Sequence, residues 1–213
     1  MNEKQIYEDI DVVKTNSGKT VVIRRERECD YLAVENLVRE SFWNVYRPGC
    51  MEHFVLKKMR ECENFIPEID FVMEADSKLI GQVVYCRSEI NRTDGKKAEV
   101  MTFGPICIAP DYKRKGYGKI LLDYSIEKAK DYGASALLIT GNIEFYGKSG
   151  FVPAKTKGII YEDDPEADYF LAKELKGGFF NENKGTYKDP DCYFVCEKYP
   201  EEFFEYEKSF GKK

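Results

Sequence analysis

Apolar positions recur along this chain with two periods, and the switches between them outline its elements. Thr20 to Arg24, with Val21, Val22 and Ile23, reads as a first strand. From Asp30, which suits an N-cap, to Phe42 the spacing predicts a helix. At about 100° per residue, Tyr31, Val34, Leu37, Val38, Ser41 and Phe42 share one face of it, while Glu35, Asn36 and Arg39 lie away. Pro48-Gly49 breaks the chain, and Cys50 to Arg60 predicts a second short helix. Phe71 to Glu74 and Leu79 to Ile90 read as strands joined at Asp76-Ser77, a hairpin, and Asn91 to Lys97 is a polar loop carrying an Asp-Gly turn signal. Val100 to Ile108 is apolar and β-rich but interrupted by Gly104-Pro105, where a residue without an N–H predicts a bulge or a local loss of pairing.

The clearest helix runs from Gly116 to Tyr132. Leu121, Leu122, Ser125, Ile126, Ala129 and Tyr132 line one side, Asp123, Glu127, Lys128, Lys130 and Asp131 the other, and Gly133 suits the position after its end. Ala136 to Thr140 predicts a short buried strand, followed by a turn at Asn142 and a short helical segment. Strands resume near Phe151, at Ile159 to Tyr161 and at Tyr169 to Leu175. After Gly177 the chain is rich in Tyr, Phe, Glu and Lys and is interrupted by Pro190 and Pro200. Strands and helices alternating with hairpins predict an α/β chain, a mixed sheet with helices on both faces. One domain is expected over 20–176, with an amino-terminal extension over 1–19 and an aromatic, charged extension over 177–213 packing on it.

Composition narrows the class. With 213 residues, 43% of them hydrophobic, the chain can fill a core and is not disordered. No apolar run approaches the roughly 18 residues of a membrane span, and the charged stretch from Met1 to Asp11 has no apolar signal core. The formal net charge of -5 disfavours nucleic acid and anionic membranes as partners, though a local basic patch still suits phosphates. Seven cysteines, an odd number, are scattered without a Cys-x-x-Cys pair, and His53 is the only histidine. A reduced, cytoplasmic protein without a disulfide framework or metal site is the expectation, with most thiols in the core.

Chemistry concentrates in Asp111 to Lys119, DYKRKGYGK, between the interrupted strand and the long helix. The first-turn N–H groups of that helix have no intrahelical acceptor, Gly116 and Gly118 let backbone approach a bulky anion, and Lys113, Arg114, Lys115 and Lys119 add positive charge. These features fit a diphosphate cradle; they also fit a solvated basic turn with glycines for tight geometry. A P-loop is excluded, because Gly118-Lys119 is followed by Ile120 and lacks the upstream glycine. A dinucleotide fingerprint is excluded by Leu121.

Strand, basic turn, Gly-x-Gly and helix together resemble the acyl-CoA-binding core of the GNAT superfamily of N-acetyltransferases. Lys113-Arg114-Lys115-Gly116-Tyr117-Gly118 matches its [QR]-x-x-G-x-[GA] pattern except at the first position, where lysine stands. Asn142 to Phe151, NIEFYGKSGF, resembles the family's Asn…Tyr…Gly-Phe segment, and Ser41 to His53 resembles a bacterial branch. The resemblance covers roughly Val21 to Leu175. It implies a mixed, mostly antiparallel sheet splayed around an acyl-CoA site. The open strands would be Val100 to Ile108 and Ala136 to Thr140.

It further implies acetyl-CoA as co-substrate, bound by backbone groups of Ile106, Cys107 and Ile108, by Lys113, Arg114, Lys115, Gly116, Tyr117, Gly118 and Lys119, and by Asn142 and Tyr146. Tyr146 would protonate the departing thiolate, its alternative being a packed aromatic. An amine of a small molecule or peptide would attack the thioester directly. Cys107 has no nearby histidine in sequence, which argues for a buried thiol rather than a covalent route, and no G-x-S-x-G elbow occurs. The strand position that carries a carboxylate in many relatives is Thr102 here, leaving Glu99, Glu52 and His53 as candidate bases. Trp43, Tyr46 and Arg47 fit either an acceptor pocket or a helix anchor. A non-catalytic acyl-CoA-binding or regulatory module and a protein-interaction domain are the alternatives, and the tail also fits as cover for a homodimer interface.

Overall fold

The structure, a computed structural model, describes residues 10–15 and 18–211; residues 1–9 and 16–17 of the expected amino-terminal extension and the last two residues lie outside the described ones. In chain order the first elements are β1 (Ile10–Lys14), β2 (Thr20–Arg25), α1 (Tyr31–Phe42), α2 (Glu52–Met59), β3 (Phe71–Ala75), β4 (Lys78–Arg92) and β5 (Lys97–Ile108). Then follow α3 (Tyr117–Asp131), β6 (Ala136–Thr140), α4 (Ile143–Tyr146), β7 (Val152–Pro153), β8 (Ile159–Tyr161) and β9 (Phe170–Glu174). The tail forms α5 (Phe179–Glu182), β10 (Gly185–Tyr187), α6 (Val195–Lys198) and α7 (Pro200–Lys208).

The sheet runs β1-β2-β3-β4-β5-β6-β9-β7, and β10 joins the far half of β4 and carries β8 on its other edge. Among the described residues only β5–β6 and β10–β8 pair in parallel. The mixed, mostly antiparallel sheet with helices on both faces is thus the observed architecture. At Asp76-Ser77 both residues take positive φ, 50° and 59°, which matches the twist of the β3–β4 strands it joins.

Period-2 alternation separates two cores. Phe71, Met73, Val83, Tyr85 and Phe103 point to the α3 face, where Leu121, Leu122, Ile126 and Ala129 cover them. Val72, Val84, Cys86 and Cys107 point the other way, against Val34, Val38, Phe54, Leu56 and Met59 of α1 and α2. A third cluster, with Ile90, Ala136, Ile159, Phe170 and Tyr187, fills the fold of the sheet under β8 and β10.

One face assignment needs correction. Glu35 and Arg39, expected to face water, are buried. The tail covers them: Glu207 on α7 pairs with Arg39, Tyr206 donates to Glu35 at 2.6 Å, and Arg60 reaches Glu35 and Glu26 at 2.6 Å each. Aromatic residues of α7 close the same surface, with Phe203 and Tyr206 on Phe54. The expected end of the α3 face also differs, since Tyr132 is 37% exposed and its hydroxyl instead accepts a hydrogen bond from Arg87.

Candidate active site

β5 is where the sheet opens. Tyr85 faces Phe103 and Val83 faces Ile106, so a single β4 residue, Val84, opposes both Gly104 and Pro105. This is the bulge expected at Gly104-Pro105, and Gly104 has φ of 123°, a conformation that favours glycine. The buried Gln82 amide, its oxygen and nitrogen assigned from their neighbours, secures it, the nitrogen donating to the Pro105 carbonyl at 3.2 Å and the oxygen accepting from the Val84 N–H at 3.3 Å. Parallel pairing with β6 is confined to Met101–Leu137 and Thr102–Leu138. Beyond it the two strands diverge. Ala109 donates to Ile80 at 2.7 Å, so by antiparallel alternation the backbone groups of Ile106 and Ile108 turn from β4 toward the gap. The Ile108 carbonyl is taken there by the Ser41 hydroxyl, 3.2 Å away, and Ile106 remains on the wall.

The gap forms a cleft of about 790 Å³. Gly104, Pro105 and Ile106 make one wall and Ile139, Thr140, Gly141, Asn142 and Tyr146 the other. Phe42, Tyr46, Arg47, Met51 and Glu52 close it from the α1–α2 side, and Tyr161, Asp163, Tyr169, Asp189, Tyr193 and Glu197 close it from the carboxyl-terminal side.

The basic turn leads into α3 by way of the N-cap Gly116, whose φ is 89° and which, as glycine, has no side chain to cap the helix. The N–H of Ile120 bonds the Gly116 carbonyl at 3.2 Å. Among the described residues, the backbone N–H groups of Arg114 through Lys119 meet no protein acceptor. Such a row of unpaired donors at a helix N-terminus attracts an anion. Arg114, itself at φ of 61°, has no side-chain partner among the described residues. The neighbouring lysines are engaged: Lys113 bonds the Ser41 carbonyl at 2.7 Å, Lys115 the Asp111 carbonyl at 2.6 Å, and Lys119 pairs with Asp123. Lysine at position 113 therefore ties the turn to the end of α1. Gly118 lets α3 start close to Phe145 and Ile108, which a Cβ would meet at 3.4 Å and 3.6 Å.

Asn142 caps α4 by accepting from the Glu144 N–H at 2.8 Å, which leaves its amide nitrogen available at the cleft edge. Tyr146 is buried among Phe103, Phe145 and Phe151, with ring centroids 5.9, 4.9 and 5.7 Å away. Burial raises its phenol pKa, so it stays protonated through the neutral range. Its hydroxyl has no protein hydrogen-bond partner among the described residues.

Other candidates fall elsewhere. Glu99 is exposed on β5 opposite Glu89, roughly 16 Å along the strand from Gly104 at about 3.3 Å per residue. His53 is fully buried beneath α7, stacked on Tyr206 and 2.8 Å from Glu207, and does not reach the cleft. Glu52 does line it, with Oε2 accepting from the Met51 N–H at 3.0 Å and the Cys50 thiol at 3.2 Å. Tyr46 and Arg47 line it too, whereas Trp43 lies under Arg39, 4.4 Å from its guanidinium. Cys107 faces the α1–α2 core, and burial pushes its thiol up to about 12; Cys196, on the cleft wall, is pushed up to about 12 by the same cause. Both are protonated at neutral pH and poor nucleophiles. Among the described residues no group of three or more His, Cys, Asp or Glu is placed to hold a metal ion, and no helix is long and apolar enough to cross a membrane.

The carboxyl-terminal wall is the part missing from the sequence reading. Tyr161 donates to Asp189 at 2.6 Å, and Tyr193 donates to the Gly104 carbonyl at 3.0 Å. The available signal was Asp189-Pro190, a break in an aromatic stretch of the kind that begins a turn.

Comparison with known proteins gives a consistent picture. The sequence model of the acetyltransferase (GNAT) family matches residues 33–151. Among curated proteins none matches the chain. A GNAT family N-acetyltransferase from Escherichia coli, YhbS, solved with CoA, superposes with a TM-score of 0.72 at 18% identity, covering 85% of this chain and 96% of its own. A Brucella melitensis GNAT acetyltransferase solved with acetyl-CoA gives 0.64 at 17% identity, covering 81% and 97%. The Escherichia coli ribosomal-protein-S18-alanine N-acetyltransferase gives 0.51 at 18% identity, covering 73% and 94%.

Proposed function

The chain belongs to the GNAT acetyltransferase family, and from that premise we propose that it is a cytoplasmic enzyme carrying an acetyl group from acetyl-CoA to a primary amine of a small molecule or peptide. Neither nucleic acid nor membrane is part of this reading. The observation that carries it is the run of unpaired N–H groups from Arg114 to Lys119 beside a sheet opened at Gly104-Pro105.

In this reading those amides, with the Arg114 guanidinium, hold the pyrophosphate. Backbone groups of Ile106 pair with the pantetheine as a missing strand would, and Asn142 offers its amide to the same arm. Acetyl-CoA supplies an activated acyl group. The Ile106 N–H, on the open edge just past the bulge, is suited to steady charge on the thioester oxygen during attack. Tyr146 holds the proton that the departing sulfur needs, and its place on the cleft wall with an unpartnered hydroxyl supports that role. The protonated thiols of Cys107 and Cys196 support direct attack over a covalent cysteine route. The unit proposed for this chemistry is residues 20–176, with 177–213 completing the acceptor side.

The test is release of free thiol from acetyl-CoA across a panel of primary amines. Acceptor-dependent release that falls about 100-fold in Tyr146→Phe agrees with the proposal. Cofactor binding without release from any amine would assign the chain to the non-catalytic binding alternative.

A further inference from the structure

We propose that Asp189, brought in by the carboxyl-terminal extension, is the carboxylate that receives the acceptor's ammonium group and takes the proton that must leave before nitrogen can attack. This rests on the acetyltransferase reading and supplies what Thr102 cannot.

Three observations lead to it. First, Asp189 lies on the wall of the same cleft as Gly104, Ile106 and Tyr146. Its segment is held beside the bulge, because Tyr193, four residues on, bonds the Gly104 carbonyl at 3.0 Å. Second, the carboxylate is half-buried and oriented by the Tyr161 phenol, 2.6 Å from Oδ2, yet among the described residues no Lys or Arg forms an ion pair with it. The adjacent Lys188 points to Glu162 instead. A carboxylate taken from water without a counter-ion is costly, and a substrate ammonium entering the cleft provides that counter-ion. Third, the other carboxylates fit less well: Glu52 is occupied by Met51 and Cys50, Asp163 and Glu197 are exposed, and Glu99 lies away from the cleft. Tyr161, Tyr169 and Tyr193 add aromatic surface suited to a cation.

Among the described residues, the titratable groups facing Asp189 are Tyr161 from β8, Tyr187 from β10, Asp163 from the loop after β8, and Tyr193 four residues on. Burial raises the Asp189 pKa, the main effect, and the Tyr161 and Tyr187 phenols oppose it. A raised pKa brings the carboxylate closer to the basicity needed to accept a proton from an ammonium. The step balances without another reagent. Asp189 takes one proton from the ammonium and passes it to solvent, and the nitrogen lone pair forms the C–N bond as the C–S bond breaks. One further N–H proton is lost and offsets the proton that Tyr146 gives to sulfur.

The experiment follows thiol release at neutral pH with two kinds of acceptor. Propylamine, putrescine and spermidine are protonated at this pH, whereas methoxyamine is not. Asp189→Asn is expected to lower kcat/KM for the alkylamines about 100-fold or more and to change the methoxyamine rate less than about threefold. Acetyl-CoA affinity and the thermal midpoint should stay at wild-type values, which also establishes that the variant folds. In Tyr161→Phe, which keeps the carboxylate but removes a donor that lowers its pKa, the acid limb of the alkylamine profile should move to higher pH. Equal losses with both kinds of acceptor, no loss with either, or a wild-type protein that binds acetyl-CoA but acetylates no alkylamine would overturn the assignment. Failure to bind acetyl-CoA at all would instead remove the acetyltransferase reading beneath it.

Discussion

The Tyr193 hydroxyl donates to the carbonyl of Gly104, 3.0 Å away, so a residue late in the chain is fastened to the bulge that opens the sheet. The bulge turns Ile106 toward the cleft, and the segment around Tyr193 closes the cleft beside it, from the carboxyl-terminal side. One hydrogen bond thereby ties that side of the cleft to the bulge. Tyr193→Phe removes it while keeping the ring. The expected cost is about 1 kcal/mol of stability, typical of such a bond, with KM for the amine raised and the acetyl-CoA affinity unchanged. Denaturant unfolding and steady-state kinetics read the two parts separately.

Gly141 is expected to be intolerant of even one added carbon. A Cβ there would lie 2.3 Å from Cε2 and 2.9 Å from Cδ2 of Tyr146. Since Phe103, Phe145 and Phe151 surround that ring, it has little room to retreat. Gly141→Ala should cost about 1–3 kcal/mol in unfolding experiments and lower kcat in the same direction as Tyr146→Phe.

The cradle depends on Gly116 for its backbone rather than its size, since a Cβ there meets nothing within 4 Å but φ is 89°. Gly116→Ala disfavours this turn by about 1–2 kcal/mol; the free variant relaxes out of it, so acetyl-CoA must restore the turn and should bind roughly tenfold more weakly. Calorimetry on the folded variant checks this.

His53 predicts a pH dependence of stability rather than of chemistry. Burial lowers its pKa, with Glu207 and Glu35 opposing that shift and Arg39 adding to it. A base that is harder to protonate when folded binds more protons when unfolded, so the folded state loses stability as pH falls through the unfolded value of about 6.5. Wild-type stability should decline below that pH, and His53→Gln should flatten the decline. Because this is the single histidine, its imidazole proton resonance follows the titration directly.

Much of this was legible in the sequence where cause and effect are neighbours. The α3 periodicity, the glycines of the basic turn and the Gly104-Pro105 break each act within a few residues, and each yields the element it predicts. What the sequence did not disclose depends on distant partners. The polar face of α1 is covered because Glu207 and Tyr206 reach Arg39 and Glu35 from about 170 positions away. His53 is inside for the same reason. Asp189 and Tyr193 carry no periodic signal, and β10, only three residues long, is held by pairing with both β4 and β8 rather than by its own propensity.

In the proposed function the amides of Arg114 to Lys119 and the open edge at Ile106 receive coenzyme A. Amide-resolved NMR during an acetyl-CoA titration tests it most directly. Saturable, one-to-one binding is expected, with the largest shifts at residues 114–119 and at Ile106. Absence of binding, or saturable binding that leaves those amides where they were, would contradict it.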